Sequence, residues 1–394
     1  MTQRDFRWQY WPLLPIYPYG KRRTLRREVL KNTIWTFDQV QGIFYVVVPI
    51  RMTVVRLETG GLLVYAPIAP TPECIRLMRE LEAEHGVVKQ IVLPTISGLE
   101  HKVFVGPFAR KFPDAHVYIA PQQWSFPVNL PLSWLGFPRK RTHFLSSPYK
   151  YNPFGETFDY AILGPIKLGL GSFGEVALFH KPSRTALLTD SVISIPKTPP
   201  ESVELDPYPL LFHARDNSVE AVEDTPAMRE KGWQRICLFA NYFQPDALEV
   251  LEWGDTWQEA QQAPDRSKKA YFGFYPFRWR PHWKESFEKL QGNGRLLVAP
   301  ILQKLILNRA PQETITWANL LVSWHFERLI PCHFQAPLEV SPREFRQAFT
   351  FLEKEELPLN QLYSPLPQAD LAPLDNIEVT LRKGKLVPPP QEKV

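Results

Sequence analysis

The sequence predicts a layered α/β domain, and three observations carry that expectation. Between residues 42 and 120, apolar strand-like runs alternate with helix-like segments in the order strand, helix, strand, helix, strand. Glycine and proline mark most of the junctions. The chain of 394 residues is 44% hydrophobic, enough for a sizeable core. In such domains ligand-holding loops gather at the carboxyl ends of strands.

Gly42 to Pro49, Met52 to Leu57 and Gly61 to Tyr65 are apolar or β-branched runs separated by proline and Gly-Gly, and read as strands. Thr71 to His85 changes period: Pro72 lies near its start, Ile75, Met78 and Leu81 share a face, and Gly86 follows its end, the signals of a helix. Val87 to Leu93 returns to strand. His101 to Phe112 reads as a helix that Gly106-Pro107 threatens to break, and Ala115 to Ala120 as a short strand. Tyr160 to Leu170, Glu175 to His180 and Thr185 to Thr189 are three further strands, the last closing at Asp190-Ser191.

Between Ser194 and Leu329 come a proline-rich stretch, Gly232 to Phe243, and the run Tyr271 to Lys284, in which aromatics and cations alternate. Pro281, Trp283, Phe287, Leu290 and Gly292 have the spacing of a helix; Ala299 to Leu307 and Thr314 to Phe326 look like two more. This gives a helical insertion over about 195–326. The domain organisation expected is a basic aromatic arm over 1–35, a main domain over 36–340, and a C-terminal helix and proline-rich tail over 341–394. From Ser364 onward there are no aromatics and many prolines, which reads as an extended tail. The 40 prolines, about twice the usual ~5%, indicate stiffened loops. No internal repeat is evident.

Cys74, Cys237 and Cys332 lie far apart without C-x-x-C spacing, so they are expected to be reduced and packed. A net charge of +5 argues against specific nucleic-acid binding. No stretch approaches the ~18 apolar residues needed to span a bilayer, and no secretory signal is seen, so the expected location is cytoplasmic. The first thirty residues are strongly basic, with Arg4, Arg7, Lys21, Arg22, Arg23, Arg26, Arg27 and Lys31 against Asp5 and Glu28, beside Trp8, Tyr10, Trp11, Tyr17 and Tyr19. Such an arm either contacts an acidic partner or a membrane surface, or packs its rings on the domain and leaves its arginines in solvent.

The most informative segment is Leu93-Pro94-Thr95-Ile96-Ser97-Gly98-Leu99-Glu100-His101-Lys102, placed where the strand Val87 to Leu93 ends. Read with a one-residue insertion, it resembles an H-x-H-x-D-H metal loop, with Thr95 and Ser97 at the first two histidines and Glu100-His101 at the Asp-His pair. Leu168 to His180 followed by Arg184 to Asp190 resembles the G-H-T-P-G turn, strand pair and bridging aspartate of the metallo-β-lactamase superfamily. Ile330-Pro331-Cys332-His333 resembles its closing strand-end histidine. More closely, Leu93-Pro94-Thr95, Leu99-Glu100-His101, Pro113-Asp114-Ala115 and Pro121 look like an uncharacterised family of photosynthetic bacteria and plant plastids, built on a degenerate version of that fold and matched over roughly Thr36 to Pro337. The resemblance implies an αβ/βα four-layer sandwich with a central pair of sheets and an edge groove, and a plastid or stromal location in a eukaryote.

It also implies two ligand sets. The first corresponds to Thr95, Ser97 and Ser172, none of which offers an imidazole, so that site is expected to be lost. The second corresponds to Glu100, His101, Asp190 and His333, which suit one Zn²⁺, Fe²⁺ or Mn²⁺ ion. Against ligation stand the longer Glu100, the insertion, and Lys102, whose ammonium would compete with a cation. Each residue also has a structural role open to it: Glu100 as a helix N-terminal acid, Asp190 as a strand-end turn former, His101 as a hydrogen-bonded groove histidine, His333 as a loop anchor.

Gly169 to Gly174 satisfies G-x-G-x-x-G, but the strand-like run after it lacks the helix a dinucleotide site requires. Ser172, His180 and Asp190 have triad residue types without a nucleophile elbow, and His180 is expected at a strand end or surface. Arg278, Trp279, Arg280 and Trp283 either bind a flat or phosphorylated ligand or a protein, or form a packed loop with arginines on rings. Two function classes result: a catalytically degenerate protein binding a ligand or protein partner through its groove, placed first, and a mononuclear metal-dependent hydrolase of an ester, thioester or phosphate. The cofactor expected is none or one divalent metal.

Overall fold

The computed structural model describes residues 4–13, 15–125, 129–146, 152–169, 171–354 and 365–394. The first half of the chain builds one sheet. β1 (Leu25–Leu30), β2 (Ile34–Ile43), β3 (Val46–Arg56) and β4 (Leu62–Tyr65) form an antiparallel meander. α1 (Pro72–His85) leads to β5 (Val88–Leu93), α2 (Leu99–Ala109) to β6 (His116–Ile119), and β7 (Thr142–Phe144) completes a seven-stranded sheet in chain order. β4 to β7 are parallel, as strand–helix–strand connections dictate. Thr71 caps α1 by accepting the Cys74 amide at 3.2 Å.

The second sheet begins with β8 (Phe158–Lys167), β9 (Ser172–His180) and β10 (Thr185–Leu188). The insertion follows: α3 (Glu201–Glu204), α4 (Tyr208–Ala214), α5 (Pro226–Tyr242), β11 (Leu248–Val250), α6 (Trp253–Gln262), β12 (Phe277–Trp279), α7 (Trp283–Gln291), α8 (Pro300–Leu305) and α9 (Pro311–Val322). Then β13 (Arg328–Pro331) returns beside β10 in parallel, β14 (Leu338–Glu339) closes the sheet in the order β14-β13-β10-β9-β8, and α10 (Pro342–Gln347) and α11 (Gln368–Lys383) follow.

The two sheets face each other through an apolar seam in which Ile34, Val55, Leu63, Tyr65 and Val92 meet Val176, Leu178, Leu187 and Ile330. The outer face of the first sheet buries Phe37, Val54, Val64 and Ile91 against Met78 of α1 and Phe104 and Phe108 of α2. The outer face of the second packs Ala161, Ala186 and Leu329 against Trp317 and Leu321 of α9 and Phe345 of α10. This is the αβ/βα four-layer sandwich expected. The insertion has its own core, with Trp233, Ile236, Leu238, Tyr275 and Trp283 packed on Tyr45 and Val47 at the end of the β2–β3 hairpin.

The structure differs from expectation at several places. Gly42 to Pro49 is not one strand: Phe44 and Tyr45 both adopt left-handed backbone (φ 50 and 61), turning the hairpin between β2 and β3 without a glycine at either position. The first sheet starts at Leu25, inside the stretch read as an arm. α2 continues through Pro107 to Ala109, since a proline in the last turn forfeits one bond without bending the rest. α9, read as part of the insertion, supplies the outer layer of the second sheet. Residues 368–383 are helical rather than extended, because Leu371 and Leu374 bury one face against the insertion. All three cysteines are free and buried, as expected. Among the described residues no helix is long and apolar enough to cross a membrane.

Candidate metal centre

The loop between β5 and α2 is laid onto the second sheet. Val176 N donates to Pro94 O at 2.8 Å and Ile96 N to Gly174 O at 3.2 Å, with Thr95 bridged to Glu175. Glycine at 174 permits this approach, since a Cβ there would lie 2.8 Å from the Leu163 carbonyl oxygen as well as 2.3 Å from Ile96 Cδ1. Lys102 is fully buried and donates its ammonium to the carbonyls of Ile96 and Trp124, tying the loop to the segment after β6. Its cation is therefore engaged with backbone oxygens, and burial pushes its pKa down to about 7.

Three elements deliver the four residues of the second ligand set. Glu100 and His101 occupy the first turn of α2, Asp190 follows β10, and His333 follows β13. His101 Nδ1 lies 3.1 Å from Pro67 O, and His333 Nδ1 2.8 Å from Pro49 O. A carbonyl only accepts, so each Nδ1 carries the hydrogen and donates, which directs Nε2 elsewhere. His333 Nε2 is 3.1 Å from Asp190 Oδ1; His101 Nε2 is buried without a hydrogen-bond partner. The two rings are 6.4 Å apart, centroid to centroid.

Glu100, Asp190 and His333 each offer a ligating atom, and these atoms lie within 4.8 Å of one another. Among the described residues this is the one such group of donors, and His101 stands outside it. Burial and the Asp190 charge hold the Glu100 carboxyl above its usual range, against the pull of His333 and Lys102. Asp190 is held low: burial works against ionisation, but its hydrogen bond to His333 and the His333 charge outweigh it. His333 is raised, its burial outweighed by the hydrogen bond it donates to Asp190 and by the Asp190 and Glu100 charges. Burial, then the charge of His333, pushes His101 down to about 4. The centre thus pairs one histidine–aspartate contact with one imidazole whose Nε2 is unsatisfied.

Two positioning residues escaped the sequence reading. Glu175 is completely buried on β9, and its carboxylate accepts the amides of Thr189 (2.7 Å), Asp190 (3.0 Å) and Ser191 (2.8 Å) and the Ser191 hydroxyl (3.1 Å), which fixes the turn carrying Asp190. The signal available was a single acid inside the apolar run Phe173 to His180. Arg51, buried on β3, pairs with Asp38 (2.7 Å) and donates to Pro331 O (2.7 Å) and Phe334 O (3.1 Å), bracketing His333.

The other candidates fall as follows. Thr95 Oγ1 is buried without a hydrogen-bond partner, and a Cβ at Gly98 would sit 3.5 Å from it and 3.1 Å from Glu100 Oε1, so this loop is close-packed around Glu100. Ser97 and Ser172 are half-buried. Ser172 starts β9 and His180 ends it, about 26 Å of strand apart, so no triad forms. His180 is a strand-end histidine, but buried, bonded to Ser183 Oγ at 2.7 Å. Ser172 onward is strand, so the G-x-G-x-x-G run opens no helix; Leu170 lies outside the described residues. Trp279 and Trp283 are buried, with the Arg235 guanidinium over both rings; Arg278 pairs with Glu259 and Arg280 lies 3.8 Å from Asp246.

The family described as a domain of unknown function, DUF4336, matches residues 31–351. No curated protein matches the chain in sequence. Among solved structures the chain is similar to the DIM-1 metallo-β-lactamase at 9% identity, covering 83% of this chain and 96% of that one with a TM-score of 0.36. It is similar to a flavo di-iron protein from Thermotoga maritima at 8% identity, covering 84% of this chain and 62% of that one, TM-score 0.44. It is also similar to a metallo-β-lactamase from Pontibacter korlensis at 9% identity, covering 56% of this chain and 85% of that one, TM-score 0.31.

Proposed function

The chain belongs to the DUF4336 family, and from that premise we propose that it holds one divalent cation and acts as a mononuclear metal-dependent hydrolase of an ester, thioester or phosphate. The observation that carries this is that Glu100, Asp190 and His333 bring one donor atom each to within 4.8 Å of one another, the His333 ring being fixed by an Nδ1–H given to Pro49 O. Metal-ligating histidines are held in this way, with the second ring nitrogen bonded so that tautomer and orientation are set in advance. Glu100, Asp190 and His333 would hold the ion, and the unpartnered Nε2 of His101 is available as a fourth donor.

Two carboxylates and two imidazoles suit Zn²⁺, Fe²⁺ or Mn²⁺. Such an ion supplies Lewis acidity toward a carbonyl or phosphoryl oxygen and toward water. The chain's own residues do the rest. Glu175 and Arg51 keep the turns bearing Asp190 and His333 in place. Lys102 is withdrawn from competition by its two carbonyls.

A second reading, ligand binding in the groove without turnover, draws on the residues at the first-site positions. Thr95, Ser97 and Ser172 provide no imidazole, so two-metal chemistry has no support. The two readings part on one experiment: the protein is loaded in turn with Zn²⁺, Fe²⁺ and Mn²⁺ and assayed against p-nitrophenyl acetate, an acyl thioester and a phosphodiester. Turnover in the parent that is lost in Asp190→Asn supports the hydrolase. Stoichiometric metal without turnover of any of the three leaves the binding reading.

A further inference from the structure

At the far end of α2, about 16 Å along the helix from Glu100 and His101, lies a separate cavity of about 760 Å³ between the N-terminal arm, α1 and α2. Its lining carries the side chains of Arg4, Arg7, Arg76, Arg79, Arg110 and Lys111 and no carboxylate. The arm is built into the fold here rather than dangling. Trp8 N donates to Gly20 O at 2.8 Å, Arg22 N to Phe6 O at 2.7 Å and Glu73 N to Asp5 O at 2.9 Å. The Trp8 ring is buried edge-on to Phe104 at 5.3 Å.

Two nearby acids already pair with cavity cations, and a third is used by the arm. Glu73 accepts Thr24 N at 2.7 Å and pairs with Arg23. Glu80 is shared between Arg26 and Arg76, and Glu82 between Arg79 and the amide of Val88. Arg110 lies 5.7 Å from the Tyr10 ring centroid and 3.4 Å from its hydroxyl. A second cavity of about 500 Å³ shares Arg4 and Arg7 and adds Lys21. With Arg76 and Arg79 each balanced by a glutamate, the remaining cations Arg4, Arg7, Arg110 and Lys111, held around one concavity, repel one another, a cost that a bound polyanion relieves. Guanidinium groups match phosphate oxygens in a two-pronged geometry.

We propose that this cavity binds a compact polyanion carrying two or more phosphate groups. The volume falls in the range of small-molecule sites, and cations set around a hollow suit a compact ligand better than a flat bilayer surface. The site is independent of the metal centre and stands whether or not that centre binds an ion.

The test uses the full chain and isothermal titration calorimetry at about 0.15 M salt, a condition that screens diffuse surface attraction. The probes are sodium tripolyphosphate, orthophosphate, and phosphatidylcholine–phosphatidylserine vesicles. The expected result is saturable binding of one tripolyphosphate per chain, at least about tenfold tighter than orthophosphate, with no vesicle binding. Arg7→Gln/Arg79→Gln/Arg110→Gln should weaken it at least about tenfold. Should that variant fail to fold, Arg4→Gln/Lys111→Gln removes two exposed cations and should weaken it several-fold. Absence of saturable tripolyphosphate binding to the folded parent, unchanged affinity in a folded variant, or binding to vesicles alone overturns the proposal.

Discussion

Glu175 Oε2 accepts the Asp190 amide at 3.0 Å, so a buried carboxylate on one strand of the second sheet sets the position of a carboxylate at the end of the next. Its two oxygens also take the amides of Thr189 and Ser191 and the Ser191 hydroxyl, four hydrogen bonds in all. Burial raises the Glu175 carboxyl's affinity for its proton, and the Asp190 charge adds to this, while the three amides work to keep it ionised.

Glu175→Gln places an amide nitrogen against backbone amides, which can only donate. Loss of charge-assisted bonds and the unsatisfied amides left behind should cost about 2–4 kcal/mol. Urea denaturation reads this directly, and metal content should fall although no ligand has been changed. An unaltered midpoint would mean the turn at 189–191 holds itself.

Arg51 is buried between Asp38 and the backbone on either side of His333. Arg51→Met strands the Asp38 charge and should cost about 3–5 kcal/mol, and Arg51→Met/Asp38→Leu distinctly less, since the pair is removed together. Comparable losses in the single and double variants would show that the guanidinium acts through the Pro331 and Phe334 carbonyls alone.

His213 predicts an acid-sensitive stability. Its Nε2–H donates to Phe44 O at 3.0 Å, Nδ1 is buried without a hydrogen-bond partner, and Phe212, Phe239 and Tyr275 surround it. Burial pushes its pKa from 6.5 down to about 3, with the charges of Arg215 and Arg235 adding to the fall and the Phe44 bond opposing it. The unfolded chain therefore binds the proton first. Stability is fully present above pH 6.5 and is lost as the pH falls toward 3, by up to about 1.4 kcal/mol per pH unit. His180, lowered to about 4 by burial, acts in the same direction. Urea titrations at successive pH values should show His213→Gln with a shallower acid limb than the parent; parallel limbs would remove His213 from the account.

His101 and His333 should behave unequally. His333 belongs to the close group of donors with Glu100 and Asp190, whereas His101 stands outside it. His101→Gln should weaken metal binding about 10–100-fold while still allowing one ion per chain at high metal concentration, as loss of an outer ligand does. His333→Ala should abolish stoichiometric binding. Equilibrium dialysis against a metal buffer separates these, and equal losses would make His101 a full ligand.

Much of this was legible in the sequence because periodicity and punctuation are local. Thr71, Pro72 and Gly86 bound a helix by capping chemistry, and the strand ends at Leu93, Leu188 and Pro331 placed Glu100, Asp190 and His333 in the segments just beyond them, which converge. What escaped depends on contacts distant in sequence. Phe44 and Tyr45 turn a hairpin in a conformation that neither residue favours, sustained by ring packing on Phe212 and Tyr271 from the insertion. The helix over 368–383 forms because Leu371 and Leu374 find partners in the core built by α5 and α8, far back in the chain. Glu175 and Arg51 read as isolated charges in strands until their partners at 189–191 and 331–334 are placed.

That Glu100, Asp190 and His333 hold one divalent cation is the proposal on which the hydrolase reading depends. It is tested most directly by inductively coupled plasma mass spectrometry on the untagged protein after reconstitution with Zn²⁺, Fe²⁺ or Mn²⁺, beside Asp190→Asn/His333→Ala treated identically and checked by circular dichroism for an intact fold. Near one ion per chain is expected in the parent and none in the folded variant. No metal in the parent after reconstitution, or equal metal in both, would contradict it.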